Sequence, residues 1–160
     1  MSLARSDLPA ARAPATRVLL VDEHRLVLEG LRLLIGTTPD LFVVGEARTP
    51  DDAIAAARRE QPDIVVLDID RDDRSGLDLL PGLRISAPLA KVIVLTGSPD
   101  AEVRRDALKR GARGLVLKRH ASTVLLQAIS RVRDGELWFE RRLVAQAFDE
   151  LVGAGQPHHS

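Results

Sequence analysis

The chain has 160 residues, enough for one domain with short extensions. Its 23 Lys and Arg balance 23 Asp and Glu, which argues against the whole chain being a nucleic-acid-binding module, because neutralising phosphates needs a basic excess. Cysteine is absent, which excludes disulfides and thiolate metal sites; no apolar run reaches the length of a membrane span and no signal-peptide core opens the chain, so a cytoplasmic protein that avoids the membrane is expected.

Hydrophobic residues make up 45% of the chain and aromatics 2%, so the core must be built from Leu, Val, Ile and Ala. Residues 1–15, rich in Ala, Arg, Ser and Pro, have no sustained period and are expected to be a disordered lead-in. Strands are predicted at Val18–Val21, Phe42–Val44, Ile64–Leu67, Val92–Leu95 and Leu115–Leu117. Helices are predicted between them. Val27, Leu31 and Leu34 form an apolar stripe in the first. The second, about Pro50 to Glu60, is anchored by Ile54, with Asp51 and Asp52 in a first turn where the helix dipole favours anions. The fourth, about Asp100 to Arg110, turns Val103 and Ala107 inward and ends at Gly111. Leu125, Ile129 and Val132 mark the fifth. The domain is expected over residues 16–136, a linker helix over 137–152, and an unstructured tail over 153–160.

Strands alternating with helices imply an α/β fold: a doubly wound five-stranded parallel sheet covered on both faces. The flavodoxin-like order 2-1-3-4-5 puts the first and third strands side by side at the switch point. Asp22 and Glu23 end the first strand and Asp68 ends the third, so the three acids converge at the carboxyl edge. Such acids repel one another unless a cation lies between them. Mg²⁺, which takes oxygen ligands and keeps several waters, suits this set. Thr96 follows the fourth strand and Lys118 the fifth, adding a hydroxyl and an ammonium to the same edge. Phosphoryl transfer needs little beyond such positioning and neutralisation. A carboxylate nucleophile at Asp68 would give an acyl phosphate.

The segments Val18-Leu-Leu-Val-Asp-Glu-His24, Asp63-Ile-Val-Val-Leu-Asp68 with Gly76 eight residues on, Leu95-Thr96-Gly97 and Leu117-Lys118 resemble the receiver domain of two-component response regulators, the CheY-like fold. The resemblance covers about Arg17 to Asp134. It implies that Asp68 accepts phosphoryl from a sensor histidine kinase. It also implies that Asp22, Glu23, Asp68 and the backbone carbonyl of Asp70 hold Mg²⁺, and that Thr96 and Lys118 sense the phosphoryl group. The stretch Arg133 to Phe139 and the following Arg141-Arg-Leu-Val-Ala145 are similar to the receiver-to-linker joint of the NarL/FixJ subfamily, whose members normally continue into a LuxR-type helix-turn-helix. This chain ends before one, so DNA binding by the chain alone is not expected. A homodimer through the fourth helix, fifth strand and fifth helix, or through the linker helix, is the further implied partner. Beyond its own phosphorylation and dephosphorylation, no enzymatic turnover is expected.

Four positions depart from that family's pattern. Arg71 and Asp72 replace Met-Pro, Leu115 occupies the switch position usually held by an aromatic residue, and Arg119 replaces the Pro that often follows the lysine. The departures at Arg71, Asp72 and Leu115 motivate a competing expectation, a receiver-shaped interaction module that works without phosphorylation. A fragment of a DNA-binding regulator is another. An EF-hand reading of Asp68-x-Asp70-x-Asp72 fails, because Asp73 and Leu79 stand where Gly and Glu are needed. His24 is read as a surface residue opening the first helix with no metal role, Gly76 as easing the turn into the third helix, and Trp138 and Phe139 as packing the linker onto the body.

Overall fold

The computed structural model describes residues 14–69, 74–97 and 100–139. Six strands alternate with five α-helices: β1 (Thr16–Val21), α1 (Arg25–Ile35), β2 (Leu41–Ala47), α2 (Pro50–Glu60), β3 (Ile64–Ile69), α3 (Leu79–Ser86), β4 (Lys91–Thr96), α4 (Ala101–Lys109), β5 (Gly114–Leu117), α5 (Ala121–Arg133) and β6 (Trp138–Phe139). Short 3₁₀ turns, Arg74–Asp78 and Lys118–His120, precede α3 and α5. All strand pairs are parallel, in the order β2-β1-β3-β4-β5-β6.

The central strands are apolar at almost every position because helices cover both faces. On one face Val18, Leu20, Val66, Ile93 and Val116 meet Leu28 and Leu31 of α1 and Leu125, Ile129 and Val132 of α5. On the other, Leu19, Val65, Val94 and Leu115 meet residues of α2, α3 and α4. The inward stripe of α1 is Leu28, Leu31 and Ile35, one residue further along than the expected Val27, Leu31 and Leu34; Val27 and Leu34 are half-buried at its margins.

Helix α2 begins where Thr49 accepts a hydrogen bond from the Asp52 amide and Pro50 supplies a preset first turn. Its buried residues are Ala53, Ala56 and Ala57; the expected anchor, Ile54, is half-buried. The side chain of Ile54 lies over Gly82 of α3, where a Cβ would come within 2.9 Å of it. Helix α4 closes as expected at Gly111, which has φ +98°. The Gly111 amide donates to the Leu108 carbonyl and the Ala112 amide to the Ala107 carbonyl, a Schellman closure.

The sixth strand corrects the five-strand expectation and the helical assignment of residues 138–139; residues 140–152 lie outside the described ones. Helix α5 ends at Gly135, φ +99°, with a second closure of the same kind, Gly135 to Val132 and Glu136 to Arg131. The reversed chain then lies along β5, pairing Trp138 with Gly114 and Phe139 with Leu115. Trp138 packs on the α1/α5 side and Phe139 on the α4 side, so the two aromatics do pack onto the body.

Candidate functional site

Strand register builds the site. Val21 pairs with Leu67, so the next residues, Asp22 and Asp68, leave adjacent strands at one level. Thr96 pairs with both Ile69 and Leu117, which puts Lys118 one step beyond it. Asp68 shares the strand parity of Val66 and Leu95, on the α1/α5 face, and Thr96 the opposite parity.

The Asp68 side chain is 1% exposed, although it closes a strand at the sheet edge. Lys118 reaches it past β4, with Nζ 2.5 Å from Oδ1. This is a close ion pair rather than an aligned hydrogen bond, since neither Asp68 oxygen has a directed hydrogen-bond partner. Asp22 is also buried, at 4%, and its Oδ2 is likewise without a hydrogen-bond partner. Glu23 stands at the rim, 63% exposed. Thr96 is buried at 1% and Leu115 at 1%. Asp70, Arg71 and Asp72 lie outside the described residues.

Burial pushes the Asp68 carboxyl up to about 7; the charge of Asp22 adds to that rise, and Lys118 opposes it. A carboxylate in this position is held in its charged form by a cation. A cleft of about 360 Å³ opens beside it, lined by Asp22, Glu23, Asp68, Thr49, Gly76 and Asp78 among others. The donor set fits a hard divalent ion: apart from the Lys118 ammonium beside Asp68 Oδ1, the buried carboxylate oxygens Asp68 Oδ1, Asp68 Oδ2 and Asp22 Oδ2 have no hydrogen-bond partner. Among the described residues no three His, Asp or Glu side chains already gather into a complete ligand set. Asp22 and Asp68 line the cleft with buried side chains, and Glu23 stands exposed at its rim.

Arg48 escaped the sequence reading, and His24 was read there only as a surface residue opening the first helix, without its contact to Asp22. His24 directs Nδ1 at Asp22 Oδ1, 3.1 Å away. Arg48 donates from Nε to the Glu23 carbonyl at 3.1 Å and lines the cleft. Its place one residue past β2, beside β1 in the expected order, was the available signal. Gly76 eases the turn into α3 as expected, through its missing side chain rather than its backbone angle. Its φ is not in the left-handed region; instead a Cβ there would lie 2.5 Å from Ile69 Cγ2, so the absence of a side chain lets the 3₁₀ turn close over β3 next to Asp68.

A parallel sheet in this order, with buried acids at the carboxyl ends of β1 and β3 and a lysine after β5, defines a CheY-like α/β domain. The sequence profile of the response regulator receiver domain matches residues 18–130, and the chain belongs to that family. It is 34% identical over 140 residues to the DNA-binding transcriptional activator DevR/DosR of Mycobacterium tuberculosis, covering 88% of this chain and 64% of that protein. It is 36% identical over 124 residues to the nitrate/nitrite response regulator protein NarL of Escherichia coli K12, covering 78% of this chain and 57% of that one. The chain thus spans less than two thirds of the length of these relatives. Among solved structures, a two-component response regulator of the LuxR family from Aurantimonas sp. SI85-9A1 superposes with a TM-score of 0.78 at 30% identity, covering 86% of this chain and 99% of that one. No helix among the described residues is long and apolar enough to cross a membrane.

Proposed function

We propose that the domain is a Mg²⁺-dependent phosphoryl acceptor that takes its phosphoryl group on Asp68 from a sensor histidine kinase and passes a change of conformation to an output. The observation that carries this reading is the Asp68 carboxylate: buried, paired with Lys118 at 2.5 Å, and otherwise without a hydrogen-bond donor. A carboxylate serving only structure would have its oxygens satisfied.

Asp22, Glu23 and Asp68, with the backbone carbonyl of Asp70, would hold the cation. When bound, it supplies charge neutralisation for the incoming phosphoryl oxygens. An Asp68 oxygen attacks phosphorus, the donor's P–N bond breaks, and the donor imidazole keeps that electron pair and takes up a proton. Lys118 stays beside the acceptor and neutralises a phosphoryl oxygen. Thr96, at the end of β4, donates its hydroxyl to another. The change at Thr96 and Lys118 is felt on β4 and β5, and so at the surface of α4, β5 and α5, where a homodimer would form; the linker segment is the second candidate surface. Asp70 tunes hydrolysis of the acyl phosphate. By analogy with the relatives, the output is control of transcription in the cytoplasm.

Incubation with acetyl phosphate and Mg²⁺ followed by intact-mass measurement tests the reading. Wild type should gain one phosphoryl group and Asp68→Asn none; an unmodified wild type defeats it. One observation favours the second reading, an interaction module that needs no phosphorylation: Leu115 is packed into the core where a mobile ring is expected. The same measurement separates the two.

A further inference from the structure

Asp22 has two unlike oxygens. Oδ1 accepts from the His24 backbone amide at 3.2 Å and faces His24 Nδ1 at 3.1 Å. Oδ2 is buried without a hydrogen-bond partner. A carboxylate in its charged form only accepts, so the pair is a hydrogen bond in the tautomer that carries its proton on Nδ1. His24 occupies the N-cap of α1, yet its side chain makes no capping hydrogen bond. The ring turns back onto Asp22 instead. It is 53% exposed itself while it holds a side chain that is 3% exposed. Nε2 lies 3.7 Å from Glu23 Oε2, beyond hydrogen-bond reach, whereas Nδ1 is within reach of Asp22 Oδ1.

Two donors from one residue on one oxygen fix the rotation of the Asp22 carboxylate. They commit Oδ1 and leave Oδ2 as the oxygen for a ligand. Asp22 shares the cleft with Glu23 and Asp68, and Asp68 Oδ2 is likewise without a hydrogen-bond partner.

We propose that His24 is a positioning residue of the divalent-cation site: its Nδ1–H orients Asp22 so that Oδ2 is presented to Mg²⁺. This rests on the Mg²⁺-dependent reading above. Residues that hydrogen-bond a metal ligand set its orientation, and their loss commonly weakens metal affinity about 10–100-fold. His24 does so without contacting the ion.

The test is calorimetric titration of the full chain with MgCl₂, comparing His24→Ala, His24→Asn and His24→Gln. The amide nitrogen of Asn falls near the place of Nδ1 and that of Gln near Nε2. Expected are a rise in Kd of at least about tenfold for Ala and for Gln, and a value close to wild type for Asn. Wild-type affinity in His24→Ala overturns the inference. So does equal weakening in Ala and Asn while both keep the wild-type unfolding temperature, which would make the ring a packing element. A wild-type chain that binds no Mg²⁺ overturns the reading and the inference together, and that outcome is distinct from the other two.

Discussion

Lys118 Nζ stands 2.5 Å from Asp68 Oδ1, although a whole strand, β4, separates their own. The lysine therefore already occupies one side of the carboxylate that we propose as the acceptor. It lowers the carboxyl's proton affinity against the larger effect of burial. Replacing Lys118 with Ala should move the Asp68 titration to higher pH, followed by carbon-detected NMR of the carboxyl. Loss of a preorganised cation should also slow phosphorylation by acetyl phosphate, on the order of a hundredfold. An unmoved titration would mean that the ion pair is not formed in solution.

The raised Asp68 carboxyl gives the metal-free domain a pH dependence of definite sign. Its folded value, about 7, lies above the ordinary 3.8. Between those values the folded state holds a proton that the unfolded chain has lost, so stability falls as pH rises. The contribution is full below about pH 4 and is lost as pH passes through about 7. From pH 6 to pH 8 the loss from this group is roughly 1–2 kcal/mol. Urea unfolding in the presence of a chelator should show it in wild type. In Asp68→Asn this part of the slope should vanish, leaving the variant the more stable of the two at pH 8. A wild-type curve parallel to that of the variant would refute the shift.

What could be read from the chain follows from what each feature depends on. The runs ending at Val21, Leu67, Leu95 and Leu117 were legible because a strand buried on both faces needs an unbroken apolar segment. The acids after the first two were legible because charge is out of place there. The phase of α1 was not: Leu26, Val27, Leu28, Leu31, Leu33, Leu34 and Ile35 allow several stripes, and the sheet chooses among them. The role of Ile54 was misjudged for a similar reason, since three alanines let α2 approach closely and the larger side chain went to the margin, over Gly82. The Gly76–Ile69 contact depends on the turn closing over β3, and the His24–Asp22 contact, though only two residues apart, depends on the ring turning back from the start of α1. The sixth strand depends on a reversal at Gly135 and on the free edge of β5, both of which exist only after α5 has docked.

Gly76→Ala should damage the site without touching a polar group. The new Cβ would lie 2.5 Å from Ile69 Cγ2, and Ile69 is 2% exposed with no room to retreat. Overpacking of this kind typically costs about 1–3 kcal/mol. Because Ile69 follows Asp68 directly, phosphorylation should slow as well. Denaturant unfolding and the acetyl phosphate assay check the two effects; a variant with unchanged midpoint and rate would show that the turn relaxes freely.

The sixth strand makes Trp138 a reporter. It is the single tryptophan of the chain, and its main chain lies on β5, where a Cβ at Gly114 would come within 3.2 Å of its carbonyl oxygen. Phe139, its neighbour, pairs with Leu115 and packs against the cluster that holds Val103 and Ala107 of α4. Any repacking of β5 against α4 on phosphorylation therefore reaches a fluorophore one residue away. Trp138 emission should shift when Asp68 is phosphorylated in the wild type, and should stay constant in Asp68→Asn under the same conditions. Leu115→Ala, which empties a fully buried position, should cost about 2–5 kcal/mol. Phe139→Ala should cost less than a fully buried aromatic would, because its ring is half-exposed. It should nevertheless abolish the fluorescence change if the edge strand is what carries the movement of β5 outward. Emission that ignores a phosphorylation verified by mass would place the output surface elsewhere than along β5.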